Sequence, residues 1–139
     1  MKLTITDSDR CIGCQCCMFA CARRQASTGL SKACIEVRSV GGMERGFIII
    51  VCRDCDNHPC TLVCPTNAIK TSKNPGVVID MTKCNGCGHC TKACIIGAIF
   101  WDAEVNKPMI CNHCGYCVRY CPHGVLKIVK HPEFSNNVV

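Results

Sequence analysis

Aromatic side chains are scarce in these 139 residues: one Trp, two Tyr and four Phe, 5% in all. The apolar fraction of 48% counts 18 cysteines, and without them it falls to roughly 35%. That is a thin supply of core for a chain of about one domain's length, so something other than side chains must fill the interior. Long apolar runs are missing too. The longest, Phe47 to Val51, is the size of a strand and far short of the ~18 residues of a membrane span. The opening MKLTITDSDR lacks the charged and apolar regions of a secretory leader, and no apolar stretch follows Arg23-Arg24 as a twin-arginine signal would require. These absences predict a soluble, cytoplasmic protein with reduced cysteines and no membrane span.

What the chain has in excess is cysteine, roughly 13% of its residues, well above the level that marks a cysteine scaffold. The stretch RCIGCQCCMFAC holds five, at positions 11, 14, 16, 17 and 21, too many for one ordinary site. An internal repeat resolves the crowding. Cys84, Cys87, Cys90 and Cys94 follow the spacing C-x2-C-x2-C-x3-C, and so do Cys111, Cys114, Cys117 and Cys121. Cys52, Cys55, Cys60 and Cys64 differ only in a four-residue second gap. The same template laid over the first stretch selects Cys11, Cys14, Cys17 and Cys21, leaving Cys16 and Cys34 outside it.

Three cysteines two residues apart let a tight loop present three thiolates to one face of a cubane, while the fourth, a helical turn on, points elsewhere. In bacterial ferredoxins that fourth cysteine ligates the other cluster of a pair. Loop residues such as Gly13, Asn85, Gly86, Gly88, Asn112 and Gly115 suit the positive φ angles and N–H to sulfur contacts that such loops use. Four copies therefore predict four 4Fe-4S clusters. Structural zinc uses paired C-x2-C units about 12–20 residues apart and has no use for a third and fourth cysteine alongside. Disulfides at this density belong to secreted chains. Pro follows Cys64 and Cys121 as in ferredoxins, whereas Ala22 follows Cys21 and Ile95 follows Cys94. Cys16 and Cys34 are expected to be small buried hydrophobes. His89 and His113 lie in cluster loops, where they are expected beside the clusters and not as ligands.

The formal charge of +6 raises the question of nucleic acid. An oxidised 4Fe-4S core with four thiolates carries −2, and four of them outweigh the +6 and leave the protein slightly acidic. The basic residues do not segregate either: residues 1–70 hold 9 basic and 6 acidic side chains and residues 71–139 hold 7 and 4. No nucleic-acid role is expected.

Between the motifs the pattern is of short hairpins. Ile35 to Val40 alternates and Phe47 to Val51 is apolar on both faces, with a turn over Gly41 to Gly46. Ala68 to Lys70 and Val77 to Asp80 flank a second turn, Ala98 to Trp101 begins a third hairpin, and Val125 to Val129 is a last strand. Short helices fit from each third cysteine onward. The tail from His131 shows no periodicity. The fold class is α+β: ferredoxin-like units, small hairpins and short helices wrapped around four clusters.

The stretches CIGCQCCMFACARR, GGMERGFIIIVCRDCDNHPCTLVCPTNAI, CNGCGHCTKAC and NKPMICNHCGYCVRYCPHGVL cover most of the chain. Together they resemble the iron-sulfur subunits of dimethyl-sulfoxide-reductase-type molybdenum and tungsten enzymes, and within that group the short polyferredoxin subunit of tungsten aldehyde oxidoreductases. Only Gly115 and Tyr116 separate Cys114 from Cys117, where the broader group often has a long insertion. Spacing alone allows motif three to pair with motif two, across a gap of 19 residues, or with motif four, across 16. The resemblance implies nesting. Residues 45–105 would form an inner unit inserted into an outer one made of 1–44 and 106–139. One cluster would use Cys11, Cys14, Cys17 and Cys121, and its mate Cys111, Cys114, Cys117 and Cys21. The inner pair would use Cys52, Cys55, Cys60 with Cys94, and Cys84, Cys87, Cys90 with Cys64.

No nucleophile with a base, phosphate loop or pterin site is evident, so the chain itself is expected to be non-catalytic. A radius of gyration of ~14 Å makes four clusters near neighbours, and the expected function is electron transfer. The resemblance implies a larger tungsten- or molybdenum-pterin subunit that oxidises aldehydes, and an acceptor such as ferredoxin or another redox subunit. The alternatives are a subunit of a hydrogenase, formate dehydrogenase or tungsten aromatic-ring reductase and, in a different class, a zinc-stabilised interaction protein.

Overall fold

The computed structural model describes residues 1–39, 41 and 46–130. The first and last strands of the described residues share one small sheet. Strand β1 (Lys2–Ile5) pairs antiparallel with the last strand, β8 (Leu126–Val129), with Lys2 opposite Val129 and Ile5 opposite Leu126. Leu3 and Leu126 are each only 2% exposed. Burying a side chain of this size contributes about 1.5–3 kcal/mol, which holds β1 and β8 together.

The remaining strands form three hairpins. β2 (Ile35–Ser39) pairs with β3 (Phe47–Val51), β4 (Ile69–Thr71) with β5 (Val77–Ile79), and β6 (Ile99–Asp102) with β7 (Lys107–Ile110). All three fall where the sequence expects them. Most of the turn expected over Gly41 to Gly46, and the tail from His131, lie outside the described residues. The strand β1 has no counterpart in the sequence reading.

Helices begin one residue before each third cysteine. α1 (Cys16–Arg24), α2 (Pro59–Leu62) and α3 (His89–Ala93) are α-helical, and Tyr116–Tyr120 is a 3-10 turn. α1 is the longest. Ala20 and Ala22 favour it, and Arg23 and Arg24 complement the partial negative charge of its last turn. α2 starts on Pro59, whose missing N–H costs nothing in the first turn.

Two apolar cores result. The larger gathers Leu3, Met18, Ala20, Ala33, Ile35, Val37, Ile49, Val51, Val125 and Leu126 around Cys17 and Cys117. The smaller gathers Ile69, Val77 and Ile99 around Cys90. Elements from both ends of the sequence supply the first, and the middle supplies the second. The architecture is an α+β, ferredoxin-like one. Among the described residues no helix is long and apolar enough to cross a membrane.

Candidate metal centres

Each cysteine motif has the same local geometry. The residue before the second cysteine has positive φ in all four: Gly13 at 71°, Asp54 at 52°, Gly86 at 73° and His113 at 58°. A second left-handed residue, Gln15, His58, Gly88 or Gly115, then starts the helix or 3-10 turn. In the third and fourth motifs Asn85 and Asn112 stiffen the loop by accepting, through Oδ1, the N–H of Cys87 and Cys114, both at 3.2 Å. The second cysteines, Cys14, Cys55, Cys87 and Cys114, are exposed, while Cys17, Cys90 and Cys117 are buried. Each loop therefore turns one thiol outward, and three of the four bury one in a core, Cys60 of the second motif being half-buried against it.

The fold brings cysteines from distant motifs together. Cys11, Cys14 and Cys17 line one cavity with Cys121, a hundred residues further along. Cys111, Cys114 and Cys117 line a second, of about 400 Å³, with Cys21 and Cys34. Burial raises the Cys17, Cys111 and Cys117 thiols to about 12 each. The Cys52 thiol is pushed up by burial and by the neighbouring Cys55 and Cys94 charges, and that of Cys60, at about 11, by burial, Cys52 and Cys94. Burial, Cys87 and Cys84 raise Cys90, and Cys64 packs against the same core as Cys90. Among the described residues no three Cys, His, Asp or Glu side chains converge on a point as the ligands of a single ion do. The thiols of the first and fourth motifs stand around a space.

The fourth cysteines receive backbone donors. Ala68 N–H donates to Cys64 Sγ, Ala98 N–H to Cys94 Sγ and Val125 N–H to Cys121 Sγ, each at 3.3 Å. Cys21 is the exception, because α1 continues beyond it. Its donor is the N–H of Cys34, at 3.2 Å. The Cys34 thiol and Gln25 add to this. The Cys34 hydrogen bond, opposed by burial and reinforced by the Cys34 N–H, brings the Cys21 thiol down to about 6. Burial raises Cys64 and Cys121, but the N–H groups around each outweigh it and leave both below the usual thiol value. Groups that stabilise thiolates at the rim of a sulfur-lined cavity suit ligands to iron.

Cys34 is buried as the sequence expects, although its place against Cys21 was not legible there. Cys16 is not buried. It is the first residue of α1, half-buried, and its thiol is raised chiefly by a hydrogen bond with Cys14.

The class of protein follows from this cysteine geometry and from two family matches. Residues 52–105 match the LdpA Fe-S cluster-binding domain, and residues 107–127 match the 4Fe-4S binding domain. The chain binds 4Fe-4S clusters. Among particular proteins, it is 35% identical over 94 residues to the thiosulfate reductase electron transfer subunit of Salmonella typhi, covering 63% of this chain and 49% of that one. It is 35% identical over 97 residues to a subunit of the tetrathionate reductase of Archaeoglobus fulgidus, covering 69% and 46%. With the beta chain of the NADH-dependent phenylglyoxylate dehydrogenase of Aromatoleum evansii it shares 33% over 138 residues, covering 95% of this chain and 31% of that one. The chain thus spans about half or less of the length of these curated relatives.

Proposed function

We propose that this chain is an electron-transfer subunit carrying four 4Fe-4S clusters in the nested arrangement, and that it serves a catalytic subunit without being catalytic itself. Cys11, Cys14, Cys17 and Cys121 would hold one cluster and Cys111, Cys114, Cys117 and Cys21 its mate. Cys52, Cys55, Cys60 and Cys94 would hold a third, and Cys84, Cys87, Cys90 and Cys64 the fourth. The observation that carries the reading is the cavity where Cys121 joins Cys11, Cys14 and Cys17. A pairing of motif four with motif three alone leaves that meeting without a purpose.

When bound, each cluster supplies a site that takes up and releases one electron at low potential. The protein's part is placement. The loops set the thiolates around each site, and the N–H donors of Cys34, Ala68, Ala98 and Val125 tune four of them. The exposed second cysteines bring a corner of each site to the surface, where a partner can exchange electrons. The outer unit consists of both ends of the chain and the inner unit of its middle. The packing of Ile49 and Val51 with Leu3 favours a boundary near residue 52 over one at residue 45.

The partner is a larger pterin subunit with tungsten or molybdenum, and an aldehyde is the substrate that the motif resemblance favours. A second reading comes from the relatives named for thiosulfate and tetrathionate reductases, in which the partner reduces an inorganic oxyanion. Anaerobic purification of the native complex tests both. The expected result is a co-purifying larger subunit with tungsten or molybdenum that reduces this chain when given an aldehyde. Oxidation of the pre-reduced chain by tetrathionate, with no response to aldehyde, would favour the second reading. Recovery only as a free monomer would sink both.

A further inference from the structure

The four repeats define four equivalent positions just before the second cysteine, and their occupants differ in an informative way. At two of them a side chain has no room. A Cβ on Gly13 would lie 2.4 Å from the Phe47 ring, and one on Gly86 2.7 Å from the Asn106 carbonyl oxygen. The other two positions hold Asp54 and His113 in the same left-handed conformation. Asp and His tolerate that region better than most residues, yet it still carries strain, which proteins tend to keep where it serves function.

Both side chains meet at one place, the seam between the two cores. His113 is the buried polar side chain among the described residues, at 5% exposure. Its Nδ1 accepts the N–H of Leu3 at 3.1 Å, so the proton of the neutral ring sits on Nε2. That atom is buried with no hydrogen-bond partner among the described residues. The Cδ2–Nε2 edge lies against Gly76, where a Cβ would come within 2.8 Å of Cδ2 and 3.4 Å of Nε2. Gly76 in turn donates its N–H to Asp54 Oδ1 at 2.7 Å, and His58 Nε2 contacts the same oxygen at 3.0 Å. Lys2 Nζ reaches the Asp54 carbonyl oxygen at 3.4 Å. The loop of Cys111 also reaches Gly76, since a Cβ there would lie 3.3 Å from the Cys111 carbonyl oxygen.

We propose that His113 and Asp54, joined through Gly76, form the crossing at which electrons pass between the outer and inner units, with His113 as the positioning residue and Asp54 as a fixed negative charge on the inner side. The inference rests on the four-cluster, nested reading above. It makes the site of Cys21, Cys111, Cys114 and Cys117 and the site of Cys52, Cys55, Cys60 and Cys94 the two middle members of the relay. One electron crosses at a time, no bond is made or broken, and no proton accompanies it. Gly13 and Gly86, sealed by Phe47 and Asn106, belong to the two end members, where no crossing to the other unit is needed.

The test uses the full chain, reconstituted anaerobically, with iron analysis and an EPR-monitored redox titration of wild type, Asp54→Asn, His113→Asn and Gly76→Ala. Asn keeps the left-handed backbone in the first two variants, and Gly76→Ala changes no residue of a ligand loop, its added Cβ pressing instead on His113 Cδ2 and on the Cys111 carbonyl oxygen from outside. Asp54→Asn is expected to raise one midpoint potential. His113→Asn and Gly76→Ala are expected to shift the middle pair and leave the end pair in place, with iron at the wild-type level. A purely structural role would lower the melting temperature and move no potential. Full iron with four unmoved potentials in Asp54→Asn and Gly76→Ala would overturn the inference alone, whatever His113→Asn does to cluster loading. Wild-type iron well below about 16 per chain, the content of four cubanes, would overturn the four-cluster reading and the inference with it.

Discussion

The backbone N–H of Cys34 donates to Cys21 Sγ at 3.2 Å. At the other three fourth cysteines this donor comes from the residue four positions on. Here the N–H of Gln25 is occupied by the carbonyl of Ala22 at the end of α1, so the start of β2 supplies it instead. Gln25 still contributes, through Nε2 contacts to Cys34 Sγ at 3.4 Å and Cys21 Sγ at 3.7 Å. Cys34→Ala keeps the N–H and should retain full iron, while losing the thiol hydrogen bond and lowering one midpoint potential. Cys34→Pro has no N–H to give and should lose about a quarter of the iron, one cubane in four. Equal iron loss in the two variants would show that the N–H is not what matters.

Cys16 precedes Cys17 at the start of α1 but lies outside the repeat. Cys16→Ser should keep all four clusters, because Cys11, Cys14, Cys17 and Cys121 already surround the cavity. Cys14→Ser or Cys17→Ser should lose or damage one. Iron content and EPR amplitude decide it, and a loss in Cys16→Ser as large as in Cys17→Ser would show that the register is wrong.

Anaerobically prepared protein should contain about 16 iron and about 16 sulfide per chain, as four cubanes require. It should be brown. Twelve or fewer iron after careful reconstitution would remove one motif from the set, and zinc in place of iron would remove them all.

Gly86→Ala should destabilise the third motif. Its φ of 73° is a conformation that costs a residue with a Cβ about 1–3 kcal/mol, and the added carbon would press on the backbone oxygen of Asn106. The opposing hairpin is held there by Lys107, whose Nζ donates to the carbonyls of Met81 and Cys84. The expected signs are a lower denaturation midpoint and faster loss of one cluster to a chelator. Unchanged behaviour would mean that the Asn106 backbone yields freely.

What could be read from the sequence was local. The four cysteine registers, the three hairpins and the helices at each third cysteine all depend on residues within a few positions of one another, and the glycines and asparagines of the loops mark their turns. Pairing across the whole chain left no such trace. β1 is four residues, KLTI, whose partner lies more than a hundred residues away, and nothing local distinguishes it from a loose end. Cys34 reads as a small apolar residue until β2 is placed beside α1.

The repeat by itself pointed to the kind of cofactor and to the thiols proposed to bind it, because a cubane demands three ligands at short fixed spacing. Which distant cysteines meet was decided only by tertiary structure. Spacing allowed motif three to pair with either neighbour, whereas the burial of Leu3 with Val125 and Leu126 draws β1 and β8 together and carries Cys121 to the cavity of Cys11. The same closure sets Leu3 N–H against His113. A seam between two units has no signature in sequence, since it forms only when both cores have been packed.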